Sequence, residues 1–201
     1  MNPAIYDFSM GWLERSRLTP WRVQAMARLR EALGPDGFRL LDVGVGTGAN
    51  FGLYPDEASV TAIDADPAML GRAQERLGAA RRQVELRKMN VMALDIPDAS
   101  FDAALTTLVF CEVADPLAGL REIRRVLKPG APLVMLEHTV SGHAWLDAGL
   151  RGLSAITAPA CGEHFDRETA RTVADAGFAD VSNDRLGLGV FHLIAARKSV
   201  L

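Results

Sequence analysis

The sequence predicts an α/β fold, a Rossmann-like, doubly wound and mostly parallel seven-stranded sheet that ends in an antiparallel hairpin. Three observations predict it. Short apolar runs alternate with helical segments along most of the chain, the rhythm of βα units that form a parallel sheet with helices on both faces. A glycine cluster, Gly44-Val45-Gly46-Thr47-Gly48, interrupts the chain where the first run ends. After Gly177 the rhythm changes, and two strand-like runs, 181–186 and 190–197, flank Gly187-Leu188-Gly189, as in a hairpin.

Taken in order, residues 38–43 form a nearly continuous apolar run, as a strand buried on both faces requires. A helix is expected from near Gly48 to just before Pro55, and 60–63 is the second strand. Asp66-Pro67 opens a helix, with Asp66 as N-cap and Pro67 in the first turn. Met69, Leu70, Ala73 and Leu77 give it one apolar stripe, and Gly78 is a stop signal. Residues 84–89 are the third strand, and 101–110 the fourth and most apolar. Residues 116–127 form a helix with Leu117, Leu120, Ile123 and Leu127 on one side, ended by Pro129-Gly130, and 132–137 is the fifth strand. Residues 141–162 are the least regular, although Trp145, Leu146, Leu150, Leu153 and Ile156 are spaced for an amphipathic helix over a sheet edge. A capped helix over 166–176 closes at Gly177.

Bulk properties bound the function classes. A chain of 201 residues, 49% hydrophobic, suits one domain with one sizeable core. A net charge of −3 lacks the basic excess of a nucleic-acid-binding face, so no nucleic-acid partner is expected. The two cysteines, Cys111 and Cys161, have neither CxxC nor zinc-ligand spacing, so no metal and no disulfide framework are expected and the cytoplasm is the default compartment. The N-terminal residues do not resemble a secretory signal, and no apolar run of about 18 residues marks a membrane span.

The glycine cluster sits where a parallel strand turns into the next segment, at the end of the sheet where ligands bind in open α/β folds. Glycines there admit positive φ and close approach of a ligand to the backbone. Asp64, at the end of the second strand, can accept hydrogen bonds from both hydroxyls of a ribose. Gly44, Gly46 and Ala49 also satisfy the dinucleotide pattern, so spacing alone leaves a nicotinamide dehydrogenase, another nucleoside ligand and a ligand-free tight turn open.

The run Leu40-Leu41-Asp42-Val43-Gly44-Val45-Gly46-Thr47-Gly48 resembles the first motif of class I S-adenosylmethionine-dependent methyltransferases. Further matches follow in order: Ala62-Ile63-Asp64 with Asp66-Pro67-Ala68-Met69-Leu70, then Pro97-Asp98-Ala99-Ser100-Phe101-Asp102, then Glu122-Ile123-Arg124-Arg125-Val126-Leu127-Lys128-Pro129-Gly130. The resemblance implies S-adenosylmethionine as cofactor. By position it implies the Gly44, Gly46 and Gly48 backbone under the methionine part, Asp42 near its ammonium, and Asp64 on the ribose. Met69 or Ala65 would lie against adenine, Asn90 at the adenine amino group, the Val91 backbone at the adenine edge, and Leu108 beside the methionine end. Asn90 stands where the family commonly has Asp, and its amide oxygen can still accept from an amino group.

Methyl transfer from a sulfonium needs alignment and exclusion of water more than a fixed base. The acceptor side therefore draws on strand ends and the irregular segment: Cys111 and Glu112, Glu137 and His138, and His143, Cys161, Glu163 and His164. Glu137 and His138 are the favoured pair, with His164 and Tyr6 as further candidates. For His138 a hydrogen-bonded structural histidine is the bland alternative, for His164 a surface loop, and for Cys111 a small buried apolar residue. Residues 107–113, 136–138, 161–162 and 165–169, with Gly52-Leu53-Tyr54-Pro55, resemble a branch holding bacterial phosphatidylethanolamine N-methyltransferases and animal methyltransferase-like thiol methyltransferases. That resemblance implies an amine or thiol acceptor, small or lipid-borne. A non-catalytic S-adenosylmethionine-binding protein is the alternative from another class.

Within the single domain, residues 1–35 are expected to form a helical cap over the cleft, 36–138 the cofactor-binding core, 139–165 the acceptor-side segment, and 166–201 the terminal helix and hairpin. Residues 1–30 mix Arg15, Arg17, Arg22, Arg28 and Arg30 with Ile5, Phe8, Trp12 and Trp21. Two expectations fit: peripheral contact with an anionic inner membrane, or a cap whose arginines face solvent.

Overall fold

A computed structural model describes residues 18–80, 84–161 and 164–200. The elements are α1 (Thr19–Leu33), β1 (Phe38–Val43), β2 (Ala58–Asp64), α2 (Pro67–Ala80), β3 (Val84–Lys88), β4 (Ala103–Thr107), α3 (Pro116–Val126), β5 (Pro132–His138), α4 (Ala144–Cys161), α5 (Thr169–Asp175), β6 (Phe178–Leu186) and β7 (Phe191–Lys198). The seven strands form one sheet in the order β3-β2-β1-β4-β5-β7-β6. The pairs β1–β2, β1–β4, β2–β3 and β4–β5 are parallel, whereas β7 is antiparallel to both β5 and β6. The Rossmann-like parallel sheet with a C-terminal hairpin is therefore present.

Side-chain alternation along each strand sorts the core onto two faces. Leu41, Val43, Leu133, Met135 and Ile194 pack on one face with Leu120, Ile123 and Val126 of α3 and Val173 of α5. Leu40, Leu105, Val134 and Leu193 pack on the other with Ala25, Met26 and Leu29 of α1 and Ala73 of α2. Leu120, Ile123 and Val126 are fully buried, each contributing roughly 1.5–3 kcal/mol by leaving water. Asp115 caps α3, its carboxylate accepting from Ala118 N at 3.0 Å, and Asp66 does the same for Ala68 N at 2.8 Å at the start of α2.

Several boundaries differ from the sequence expectations. Residues 45–54 form successive turns, with Gly48 N–Val45 O and Phe51 N–Gly48 O bonds, and no helix. Glycines at positive φ keep this stretch from winding. The fourth strand ends at Thr107, because Leu108 adopts φ +60° and turns the chain out of the sheet. The helix expected from 166 begins at Thr169. Residues 144–161 are an 18-residue helix rather than an irregular segment. On the face expected to pack, Trp145 is 76% and Leu153 43% exposed and Leu146 and Leu150 are half-buried, while Asp147 and Ser154 are buried. Asp147 accepts from Ser141 N, Ser141 Oγ and Gly142 N, so a polar anchor fixes the start of α4. Arg22 is buried inside the protein at 3% exposure, which corrects both expectations for the N-terminal arginines at that position. Among the described residues no helix is long and apolar enough to cross a membrane.

Candidate functional site

The carboxyl ends of β1, β2, β4 and β5 lie side by side at one end of the sheet. Gly44, Gly46 and Gly48 have φ of +70°, +54° and +85°. Gly44 N and Val45 N donate to Ile63 O at 2.8 and 3.0 Å, tying the loop to the end of β2. A Cβ on Gly44 would lie 2.3 Å from Val109 Cγ2, so this glycine is required by packing, whereas a Cβ on Gly46 would meet nothing within 4 Å. Gly46 thus borders open space. Asp64 stands beside it, its Oδ2 accepting from Gly46 N at 2.8 Å and its Oδ1 from Asp66 N at 2.9 Å. Those bonds fix the carboxylate at the tip of β2 and leave further lone pairs for incoming hydroxyls.

Beneath the loop lies a polar network that the sequence did not disclose. Asp42 is fully buried, and its Oδ2 accepts from Asn50 Nδ2 at 2.9 Å and from the Tyr54 hydroxyl. Arg22, reaching in from α1, donates through Nη1 to Asn50 Oδ1 at 2.8 Å and to Thr107 Oγ1. Burial pushes the Asp42 carboxyl up to about 6, opposed by the Asn50 and Tyr54 hydrogen bonds and the Arg22 charge. Asp42 Oδ1 has no hydrogen-bond partner, an acceptor ready for a cationic or N–H group of a ligand.

After β3, Asn90 is exposed and its Oδ1 accepts from Met92 N at 3.0 Å, closing a turn with one lone pair still available. Val91 is buried beside it, Met69 is half-buried and Ala65 exposed. Leu108, with its strained positive φ, donates its N–H to Leu136 O at 2.8 Å.

Glu137 does not reach into open space. It is fully buried, accepting from Thr106 Oγ1 at 2.7 Å, Val109 N at 3.0 Å and Phe110 N at 3.2 Å. Its carboxylate thereby holds the turn after Leu108. Burial nonetheless raises it to about 7. His138 is the opposite case. It is 7% exposed, neither ring nitrogen has a hydrogen-bond partner, and its ring stacks on Phe165 at 4.5 Å with Phe191 edge-on at 6.5 Å. Burial, with the nearby Arg167 charge, lowers it to about 4, so the imidazole is neutral. Arg167 donates to the Phe110 and Val113 carbonyls, anchoring the same turn.

His164 is half-buried, with Nδ1 4.0 Å from Asp166 Oδ1 and its backbone N–H on Cys111 O at 3.0 Å. Cys111 is buried, and His143 and Glu112 are exposed. Tyr6, Glu163 and the Cys161 side chain lie outside the described residues. The structure thus brings Asp42, the glycine loop, Asp64 and the Leu108–Val109 turn to one end of the sheet, with Asn90 and Val91 following β3 and His138 at the end of β5. Arg22, Asn50, Tyr54, Thr107, Phe165 and Phe191 are the residues that sequence reasoning missed. Tyr54, Thr107 and Phe165 had a signal, each lying in a segment that carries the second resemblance; Arg22, Asn50 and Phe191 had none toward the site.

Known proteins resemble this chain in sequence and in fold. A family described as a methyltransferase domain matches residues 41–135. Phosphatidylethanolamine N-methyltransferase of Cereibacter sphaeroides is 33% identical over 86% of this chain and 81% of that enzyme. The human thiol S-methyltransferase TMT1A is 36% identical over 59% of this chain and half of its own length. Among solved structures, a SAM-dependent methyltransferase from Aquifex aeolicus has the same fold over 98% of this chain and 99% of its own, with a TM-score of 0.69 at 22% identity. Phosphoethanolamine N-methyltransferase 2 of Haemonchus contortus, in complex with S-adenosyl-L-methionine, superposes over 88% of this chain and 52% of its own with a TM-score of 0.69 at 19% identity.

The chain belongs to the class I S-adenosylmethionine-dependent methyltransferases. Within that class it is an enzyme related to the phosphatidylethanolamine N-methyltransferases and thiol S-methyltransferases, acting on a small acceptor. The residues present fit the cofactor, since open space over Gly46, the unpartnered Asp42 Oδ1 and the fixed Asp64 carboxylate suit its methionine, ammonium and ribose. The nicotinamide alternative gives way to S-adenosylmethionine.

Proposed function

We propose that this enzyme methylates the heteroatom of an amine or thiol, with the primary amine of phosphatidylethanolamine as the leading acceptor. The observation that carries the proposal is the similarity to a phosphatidylethanolamine N-methyltransferase over 86% of this chain and 81% of that enzyme. The similarity to the human thiol S-methyltransferase TMT1A, over 59% of this chain, supports an alkyl thiol as the second reading.

The cofactor supplies a methyl group already activated on a sulfonium. The chain's residues bind, orient and exclude water. Asp64 holds the ribose, the Gly44–Gly48 backbone passes under the methionine part, and Asp42 Oδ1 accepts from its ammonium, directly or through water. Ala65 or Met69 and Val91 border the adenine, and Asn90 accepts from its amino group. Leu108 closes the methionine end. Glu137 acts as a positioning residue: with three donors on its oxygens it holds the Val109–Phe110 turn against the cofactor. His138 belongs to the acceptor end, with His164 and Tyr6 as further candidates there.

We also propose that the chain works as one domain, with residues 1–35 serving the cleft. Peripheral contact with an anionic inner membrane from a cytoplasmic position would be carried by residues 1–30. Within the described part of that segment, Arg28 pairs with Asp184 and Arg30 with Glu57.

Incubating the enzyme and labelled S-adenosylmethionine with phosphatidylethanolamine vesicles, and separately with a small alkyl thiol, tests the acceptor by mass spectrometry. Methylated lipid amine is expected, and methylation of neither probe overturns the proposal.

A further inference from the structure

Burying an imidazole without a partner is unfavourable. Transfer from water without a compensating hydrogen bond disfavours the folded state, and most buried polar side chains are paired. His138 breaks that rule at both ring nitrogens. Apolar rings border it, Phe165 stacked at 13° and Phe191 edge-on. It ends β5, next to β4, whose following turn meets the glycine loop where the Val109 side chain packs on Gly44. A phenyl ring would fill the same space at lower cost to the fold. An unpartnered polar group at the rim of a ligand crevice points to a ligand that completes it.

We propose that His138 is the acceptor-binding residue that takes a hydrogen bond from the N–H or S–H of the incoming nucleophile, so that the acceptor is a protic and uncharged primary or secondary amine or thiol. The inference rests on the amine-or-thiol proposal above and deepens it. A neutral imidazole has one bare ring nitrogen, a single acceptor. An N–H or S–H donated to it leaves the heteroatom's lone pair free to be turned toward the methyl carbon. The positive guanidinium of Arg167 lies close enough to disfavour an imidazolium, and the same charge disfavours an ammonium acceptor. The amine therefore loses its proton to solvent before it binds, and His138 positions it without removing that proton; the heteroatom's lone pair then forms the bond to the methyl carbon as the methyl–sulfonium bond breaks, S-adenosylhomocysteine leaves, and the cationic product gives up its extra proton to solvent. A tertiary amine has no N–H to donate, so a third methylation of the same nitrogen gains nothing from His138. Phe165, whose backbone N–H is fixed on Ser154 Oγ at 2.7 Å, and Phe191 supply the apolar walls along which the acceptor's carbon chain lies.

The test compares wild type with His138→Phe and His138→Asn. Melting temperature, S-adenosylhomocysteine affinity, and kcat and KM toward phosphatidylethanolamine, its N,N-dimethyl derivative and an alkyl thiol are measured for each. His138→Phe is expected to melt at or above the wild-type temperature and to bind S-adenosylhomocysteine within twofold of wild type. It is also expected to lose at least tenfold in kcat/KM on the protic acceptor that wild type uses. His138→Asn, which restores an acceptor oxygen, recovers part of that loss, and any transfer to the dimethyl lipid changes less than twofold in His138→Phe. A His138→Phe protein that melts several degrees lower, or that methylates the protic acceptor as wild type does, overturns this inference alone. A wild type that binds S-adenosylhomocysteine but methylates neither amine nor thiol overturns the acceptor proposal itself, and this inference with it.

Discussion

Replacing Gly46 by alanine separates the ligand crevice from the fold. At φ +54° a Cβ on Gly46 meets no heavy atom within 4 Å, so the folding cost is confined to the left-handed backbone, about 1–2 kcal/mol for a non-glycine residue. In a chain of this size that lowers the melting temperature by roughly 2–8 °C. Gly44→Ala carries the same backbone cost at φ +70° and also drives a Cβ to 2.3 and 2.7 Å from the two Val109 methyls. Overpacking adds about 1–3 kcal/mol, for a total of roughly 2–5 kcal/mol. The two variants therefore differ in kind. Gly46→Ala stays folded but puts a methyl where the proposed site places the methionine part of the cofactor, and at least a tenfold loss of affinity, about 1.4 kcal/mol, is expected. Differential scanning fluorimetry with and without S-adenosylhomocysteine, followed by calorimetric titration, measures both quantities. Wild-type affinity in Gly46→Ala, or equal melting temperatures for the two variants, would refute the reasoning.

The buried acids give a pH signature. Glu137 rises to about 7 from 4.5 and Asp42 to about 6 from 3.8, so the folded state holds their protons more tightly than the unfolded one. That stabilisation is complete below the unfolded values and is lost as pH rises through 7. His138, lowered to about 4 from 6.5, works in the opposite sense, its contribution being lost as pH falls from about 6.5 toward 4. The clean readout is thus a difference: Glu137→Gln should be penalised relative to wild type by roughly 2–3 kcal/mol more at pH 5 than at pH 8, and a pH-independent difference in melting temperature speaks against a buried, proton-holding Glu137. Arg22→Met removes a buried cation from Asn50 and Thr107 and should cost about 2–4 kcal/mol, roughly 4–16 °C in melting temperature; a variant that melts like wild type means that Arg22 does not support the site.

Most of the sheet was legible because both faces of its central strands are covered. Such strands read as continuous apolar runs, and the glycine loop and Asp64 punctuate them. The extent of β4 was misjudged because Val109 and Phe110 are as apolar as the strand itself, and only the positive φ of Leu108 ends it. The stretch after Gly48 reads as helix by position in the pattern, yet glycine-permitted turns prevail there. Helix α4 was foreseen only in its spacing. Its burial was not, since the anchor is the Asp147 carboxylate on Ser141 and Gly142 rather than the apolar stripe. Within the site, cofactor-side candidates were found because each lies in a local motif. Arg22 was invisible, being one arginine among several in an amphipathic segment, and its partners lie 28 and 85 residues away. Adjacency in sequence also made Glu137 and His138 look alike. Consecutive strand residues point to opposite faces, so one is saturated with donors and the other has none.

The central claim is that an adenosyl ligand lies across the bend after β1 with its sugar on the carboxylate at the tip of β2. A crystal structure of the protein grown with S-adenosylhomocysteine measures this directly. The ribose hydroxyls are expected about 2.6–3.0 Å from the Asp64 oxygens, with the homocysteine part over Gly46 and its amino group toward Asp42. An empty crevice, or a ribose held elsewhere, would contradict it.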